Sequence, residues 1–283
     1  MRKVYFEVRG SKKGLAAYQF HLLQKFSDQV EHAVFTREGG VSRAPYDTLN
    51  VRFGIGDKDV SVRKNRKIIC KALKIEPENL ISSNQTHSRN VQIIDRNFLA
   101  GMNVDAVRTS TDLVDKVDAF VTDLPGITPM IQVADCQSIL MFDPARKVIA
   151  AVHAGWKGLA QNISREAIGV MKSVYAVNPA KILVGIAPSL GPCCAFFSDP
   201  EKELPDEFHP FIDKKKRVDL WGFSLQQLQK AGIKKEHIEL ARVCTQCNGG
   251  PDIESRGRFY SFRGEKGITG RFGAVISLRE QVR

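Results

Sequence analysis

The sequence predicts an α+β fold in a single domain spanning residues 1–283, and three observations carry that reading. Apolar, β-branched and aromatic runs of strand length recur along the chain, and segments of helical period lie among them. No fixed-period repeat or low-complexity tract is present. No Gly-x-Gly-x-x-Gly or Gly-x-x-x-x-Gly-Lys-Ser/Thr motif opens a helix, which argues against dinucleotide or P-loop chemistry.

Strands are predicted at residues 4–8, 33–36, 127–133, 138–142, 148–152, 182–186, 259–262 and 274–278. A helix is expected from near Asp59 to Leu73, with Val62, Ile69 and Leu73 on one face. Another follows Gly158, where Leu159, Ile163, Val170, Met171 and Val174 keep a helical period. A third covers 220–231, with Gly232 as its stop. Residues 199–210 have the composition of a loop. The strand-turn-strand pattern of 127–152 predicts antiparallel neighbours and disfavours a purely parallel sheet.

With 43% hydrophobic and 26% charged residues, the composition is that of a globular protein. No apolar run is long enough to span a membrane, and the opening Met-Arg-Lys-Val-Tyr-Phe-Glu has no signal-peptide pattern, so a cytoplasmic location is expected. Lys and Arg number 42 against 31 Asp and Glu, a net charge of +11 that favours anionic partners. The basic residues form short groups such as Lys214-Lys215-Lys216-Arg217, so no dedicated nucleic-acid surface is predicted. Six cysteines are too few and too irregular for a disulfide framework. Cys244-Thr245-Gln246-Cys247 has no second Cys-x-x-Cys or His-x-x-x-His to complete a zinc site, so it is expected to be structural or incidental.

Two segments carry the chemistry. Val148 to Val152 leads into His153-Ala-Gly155-Trp156-Lys157-Gly158, and the run before Ala134 leads into Asp135-Cys136. The glycines after His153 permit close backbone approach before a helix. With His87, the chain offers two histidines and a cysteine from three segments, a set that suits catalytic zinc with an open fourth position. A metal so held would make water a nucleophile near neutral pH. Spacing alone leaves a second reading open, in which these are satisfied core histidines and a small apolar cysteine. A metal-free Cys136–His153 nucleophile pair is a third. Asp135 is the candidate for proton transfer or ligand orientation, and Lys157 with the glycine turn is the candidate anion site.

The ordered set Thr36-Arg37-Glu38-Gly39-Gly40-Val41-Ser42, Leu49-Asn50, Gly56-Asp57, Asn65-Arg66, Gln85-Thr86-His87, Asp118-Ala119, Ala134-Asp135-Cys136, His153-Ala154-Gly155-Trp156 and Gly191-Pro192-Cys193-Cys194 resembles the YfiH/YlmD family. These proteins are also called laccase-domain or multicopper polyphenol oxidase proteins. The similarity continues through Asp219-Leu220, Cys244-Thr245 and Ser261-Phe262-Arg263 to Thr269-Gly270-Arg271. It implies a layered mixed β-sandwich flanked by helices, related to cysteine hydrolases. It also implies a purine nucleoside enzyme that phosphorolyses adenosine, inosine, guanosine and methylthioadenosine and deaminates adenosine. By motif position, His87, Cys136 and His153 match the family's zinc ligands, and Arg37 and Asn50 are candidates for substrate or phosphate contacts. Ser88 stands where the family has Gly, which is expected to alter the backbone beside a ligand. Ala195 stands where an aromatic follows the paired cysteines.

Six histidines are too few for a trinuclear copper cluster plus a blue-copper site, so laccase chemistry is disfavoured, although one copper in a His2Cys site could replace zinc. Two further functions fit the same residues. One is a cysteine amidohydrolase acting in peptidoglycan precursor editing, with Cys136 as nucleophile. The second is a non-catalytic binding module for nucleotides or RNA.

Overall fold

Two six-stranded sheets pack face to face, and helices cover their outer surfaces. The computed structural model describes residues 1–7, 14–102, 114–247 and 257–280; Val8, the predicted end of the first strand, lies outside them. The first sheet runs β1 (Arg2–Phe6), β2 (Leu15–Gln19), β3 (Val30–Phe35), β14 (Phe272–Leu278), β9 (Thr128–Val133) and β4 (Leu80–Ile81). The second runs β13 (Ile238–Leu240), β12 (Leu183–Ile186), β10 (Gln137–Asp143), β11 (Val148–Ala154), β8 (Ala119–Thr122) and β6 (Val91–Ile93). A short parallel pair, β5 (Ser83–Asn84) with β7 (Val114–Asp115), lies apart from both.

Strand alternation sorts side chains into three apolar layers. Leu140, Phe142, Ile149 and Ala151 point between the sheets, where they join Ile131, Val133, Ala274 and Ile276. Their neighbours Ile139, Met141, Ala150 and Val152 face outward against Ile163, Ala167 and Met171 of the Ile163–Tyr175 helix. On the other side, Ala33, Phe35, Met130 and Val275 meet Ile69 and Ala72 of the Asp59–Leu73 helix. β9, β10, β11 and β14 are therefore buried at every position, which is why their sequences read as continuous apolar runs.

β10 and β11 form the expected antiparallel pair, with Ile139 opposite Val152. β9 does not join them. The chain leaves the first sheet after Val133 and enters the second at Gln137, and Asp135 turns this corner with φ of 85°. A sharp sheet-to-sheet turn has few residues in which to reverse direction, and Asp tolerates the left-handed region better than most.

Residues 259–262 are not a strand; Phe259 and Tyr260 are apolar because they plug the intersheet core from a loop. The helix expected after Gly158 is two helices, Trp156–Ala160 and Ile163–Tyr175. Asn162 breaks them apart with φ of 55° and its side chain caps the second by accepting from the Arg165 N–H. Within 199–210 the chain forms short helical turns, Pro200–Glu203 and the start of Asp206–Phe211. The Leu220–Lys230 helix ends as predicted, with Gly232 at φ of 95°. Among the described residues no helix is long and apolar enough to cross a membrane.

Candidate functional site

The antiparallel order β10-β11-β8 brings the start of β10, the end of β11 and the start of β8 to one edge of the second sheet. Cys136 immediately precedes β10, His153 lies near the end of β11, and Asp118 immediately precedes β8. His87 arrives on the loop after β5. The fold thus places the two strand-end residues side by side.

Donor atoms of His87, Cys136 and His153 lie within 4.8 Å of one another, and Cys136 Sγ is 3.5 Å from His87 Nε2. Ligands of a tetrahedral zinc at about 2.0–2.3 Å are separated by roughly 3–4 Å, so the set needs only a small contraction to close on one ion. The two imidazole rings stand edge to face, 4.7 Å apart at 72°. Gly155 explains part of this closeness. A Cβ there would come within 2.5 Å of His87 Cδ2 and 2.9 Å of Cys136 Sγ, so the backbone itself forms one wall of the ligand set. Its φ of −74° is ordinary, and the glycine is required for space.

Asp118 organises two of the three candidate ligands. Its buried carboxylate accepts the His153 Nδ1–H at 2.7 Å, which leaves Nε2 with its lone pair for a metal. It also accepts backbone N–H groups from Thr86 at 3.3 Å, His87 at 3.0 Å and Ser88 at 2.7 Å, and the Ser88 hydroxyl at 2.6 Å. His87 has φ of 60°, which costs about 1–2 kcal/mol for a residue with a side chain. Hydrogen bonds to a charged acceptor contribute roughly 1.5–3 kcal/mol each, enough to hold that backbone in place. The left-handed residue is the ligand itself, so Ser88 carries no such strain and adds a donor to Asp118 instead.

The site is electrostatically paired even without an ion. Burial opposes ionisation of Cys136, but His153 and His87 outweigh it and bring the thiol down to about 6. Burial likewise opposes protonation of His153, and Cys136 with Asp118 outweighs it, raising the imidazole to about 9. Asp118 is buried, yet the bonds from His153 and Ser88 hold its carboxyl below the usual range.

A cavity of about 420 Å³ opens over these ligands. Trp156, Leu190, Phe197, Leu220 and Phe262 give it apolar faces, with Trp156 and Phe197 edge to face at 6.3 Å. Arg52, Arg263 and Arg271 supply its positive charge. Arg271 donates to the Thr269 and Gly270 carbonyls, and Arg52 donates to Asn84 Oδ1. Burial first, then the neighbouring Arg52 charge, pushes the Arg271 guanidinium below its ordinary value. Two cations held together in a partly buried cleft create a standing demand for an anion.

The remaining sequence-predicted residues stand behind or beside this cavity. Arg37 is engaged by the Asp47 carbonyl at 2.9 Å and Glu265 at 3.0 Å, and stacks on the Tyr260 ring at 4.5 Å. Asn50, fully buried, accepts the N–H groups of Arg52 at 3.1 Å and Arg271 at 2.9 Å, so it sets two cavity arginines from behind. Lys157 is exposed, its Nζ 5.5 Å from the centre of the Trp156 ring. Asp135 borders the cavity, but its carboxylate accepts the Thr245 and Ser261 hydroxyls and the Arg263 N–H at 2.6–2.7 Å. Sequence reasoning gave no role to Asp118, Arg52, Arg263 or Arg271; only the motif positions of Asp118, Arg263 and Arg271 marked them. Away from the site, His32 is a core residue whose Nε2 accepts the Phe20 N–H.

Comparison with known proteins identifies the family. Residues 31–279 match the family described as multi-copper polyphenol oxidoreductase laccase. The chain is 28% identical over 257 residues to the purine nucleoside phosphorylase YlmD of Geobacillus stearothermophilus, covering 87% of this chain and 89% of that protein. It is 30% identical over 258 residues to a purine nucleoside phosphorylase of Deinococcus radiodurans, covering 88% and 89%. The crystal structure of YlmD from Geobacillus stearothermophilus superposes with a TM-score of 0.80 at 25% identity, covering 98% of this chain and 99% of that one. YfiH from Bacillus licheniformis gives 0.78 at 28% identity, covering 88% and 93%. With the layered fold, the convergent His87-Cys136-His153 set and a match across most of its length, the chain belongs to the YfiH/YlmD family of laccase-domain proteins.

Proposed function

We propose that this protein is a purine nucleoside phosphorylase that also deaminates adenosine, with zinc held by His87, Cys136 and His153. The observation that carries the reading is the pairing of Arg52 and Arg271 in the cavity that borders this donor set, with neither in a salt bridge to a carboxylate among the described residues. Guanidinium groups so placed suit a phosphate, which they bind through charge-assisted and often bidentate hydrogen bonds. The similarity to proteins named purine nucleoside phosphorylases supports the reaction class, and adenosine, inosine, guanosine and methylthioadenosine are the substrates proposed.

In phosphorolysis a phosphate oxygen bonds to C1′ of the ribose as the bond from C1′ to the purine nitrogen breaks, and the base leaves with that electron pair and takes up a proton. Arg52 and Arg271 hold and orient the phosphate, and Arg263, whose backbone N–H donates to Asp135, adds charge to the same cavity. Trp156, Phe197 and Phe262 stack against the flat base and exclude water from it. His87, Cys136 and His153 would hold a zinc ion, which when bound would supply Lewis acidity in the same cavity. Asp118 keeps the His153 ring in the tautomer that ligation requires.

Incubating the purified protein with adenosine, with and without phosphate, and separating adenine, inosine and hypoxanthine tests this reading. Phosphate-dependent adenine and phosphate-independent inosine are expected, both lost on chelation and restored by zinc. No turnover in either condition with metal present sinks it.

A second reading draws on the lowered thiol of Cys136 beside His153, the arrangement of a cysteine amidohydrolase. Amide hydrolysis by the metal-free protein, abolished by alkylation of Cys136, is its signature. Multicopper oxidation finds less support, since His87 and His153 are the two histidines in the convergent groups among the described residues. A single copper in place of zinc would colour the protein intensely blue.

A further inference from the structure

A second convergence of metal-competent side chains lies outside the catalytic cavity. Cys193 and Cys194, in the turn after β12, meet Cys244 and Cys247, in the turn after β13, and all four sulfurs lie within 4.8 Å of one another. The Cys-x-x-Cys that lacked a partner in the sequence finds it some fifty residues upstream, in a vicinal pair rather than in a second Cys-x-x-Cys. None of the four is in a disulfide, and Cys193 Sγ stands 3.5 Å from Cys247 Sγ, well beyond bonding distance. Tetrahedral thiolates at about 2.3 Å from a zinc ion stand roughly 3.8 Å apart, close to the spacing found.

Backbone contacts fix the two turns before any ion binds. The Ser189 N–H donates to the Val243 carbonyl at 3.2 Å, and the Thr245 N–H returns to the Ser189 carbonyl at 3.1 Å. Gly191 lies against this junction: a Cβ there would come within 3.0 Å of Cys244 Cβ and 2.9 Å of the Trp221 ring. Its N–H donates to Cys244 Sγ at 3.3 Å, a bond that offsets negative charge on a thiolate. A divalent cation shared by four thiolates offsets the repulsion among their charges. The spacing is that of one tetrahedral ion and too tight for a polynuclear iron–sulfur cluster.

We infer that Cys193, Cys194, Cys244 and Cys247 hold a second zinc ion, coordinatively closed and structural, distinct from the open His87-Cys136-His153 site. The ion clamps the loops that lead into the cavity wall, since Leu190 borders the cavity and Thr245 donates to Asp135.

The test is metal stoichiometry in protein purified anaerobically, combined with cobalt substitution. The wild-type chain is expected to carry one more zinc than the Cys193→Ser/Cys247→Ser variant. Cys136→Ser protein, with the catalytic set crippled, is expected to keep one zinc and, loaded with cobalt, to give the intense sulfur-to-metal absorption of four thiolates. The double variant is expected to lose that absorption and to melt at lower temperature than wild type. Should the double variant fail to fold, the cobalt spectrum of Cys136→Ser protein still decides. Equal zinc in wild type and the double variant, iron in place of zinc, no tetrathiolate spectrum in Cys136→Ser protein, or a Cys193–Cys247 disulfide in the anaerobic protein would each overturn the assignment.

Discussion

The Asp118 carboxylate binds His153 through the ring and His87 through the backbone, so one buried acid sets the geometry of two candidate ligands that come from different segments. Asp118→Asn keeps the shape but replaces one acceptor oxygen with a donor. Loss of zinc affinity by about 10–100-fold is expected, the usual range for an outer partner of a ligating histidine. Competition with a chromophoric chelator measures it; unchanged affinity would detach Asp118 from the site.

Gly155→Ala inserts a methyl group into space occupied by His87 Cδ2 and Cys136 Sγ. The backbone angles there suit alanine, so the substitution acts on the ligands and not on chain conformation. Metal content and nucleoside turnover are expected to fall together while the circular dichroism spectrum stays native. A variant that binds a full equivalent of zinc would contradict the close approach.

Arg271→Gln removes one of the two adjacent cavity cations without touching the donor set. On the proposed function, KM for phosphate rises about tenfold or more, zinc content is unchanged, and phosphate-independent deamination of adenosine is largely retained. Steady-state kinetics with phosphate varied separates this from general damage, which would depress both reactions equally.

The Cys136–His153 pair makes the thiol of the metal-free protein reactive at low pH while leaving overall stability nearly level. Cys136 titrates at about 6, below its unfolded value, so its stabilisation is complete at high pH and is lost as pH falls through about 6. His153 titrates at about 9, above its unfolded value, so its contribution is complete at low pH and is lost as pH rises through about 9. Between those limits one contribution grows as the other declines, so the pair is expected to leave the stability of the chelated protein nearly independent of pH there. Alkylation of Cys136 by iodoacetamide should show a midpoint near pH 6, and added zinc should suppress it. A midpoint near that of an ordinary thiol would remove the pairing.

His32 provides an independent acid trigger in the core. Burial lowers its imidazole to about 4, so the unfolded chain takes up the proton first as the solution is acidified. Its contribution is complete above pH 6.5 and declines towards pH 4, a loss on the order of 3 kcal/mol. His32→Gln should flatten the dependence of melting temperature on pH in that window; an unaltered slope would place the acid sensitivity elsewhere.

How much of this was legible depends on whether a feature is local. The buried strands β9, β10, β11 and β14 announce themselves by continuous apolar runs, and the Asp59–Leu73 and Leu220–Lys230 helices by period and stop residue. Leu15–Gln19, with two alanines and no β-branched residue, and Val91–Ile93, only three residues long, carry no strand pattern of their own and exist through their partners. His87, Cys136 and His153 could be proposed as ligands because two of them end strands and all three match family motifs. Asp118 could not, because a carboxylate reveals its partner only when β8 lies beside β11. The four-cysteine cluster was hidden for the same reason: two turns distant in sequence meet only once β12 and β13 pair.

Cys136 and His153 hang from the second sheet, whereas Arg271 enters the first sheet at β14 and Arg52 is tied to it through Val51. On the proposed function, ion and phosphate are thus mounted on opposite leaves, and their separation is a gauge set by the thickness of the layer between the sheets. Enlarging or shrinking Phe142, Ile131 or Ile276 adjusts that gauge without touching any residue of the cavity. On the proposed function, relatives with identical donor residues and arginines differ in nucleoside preference through residues that never meet the substrate.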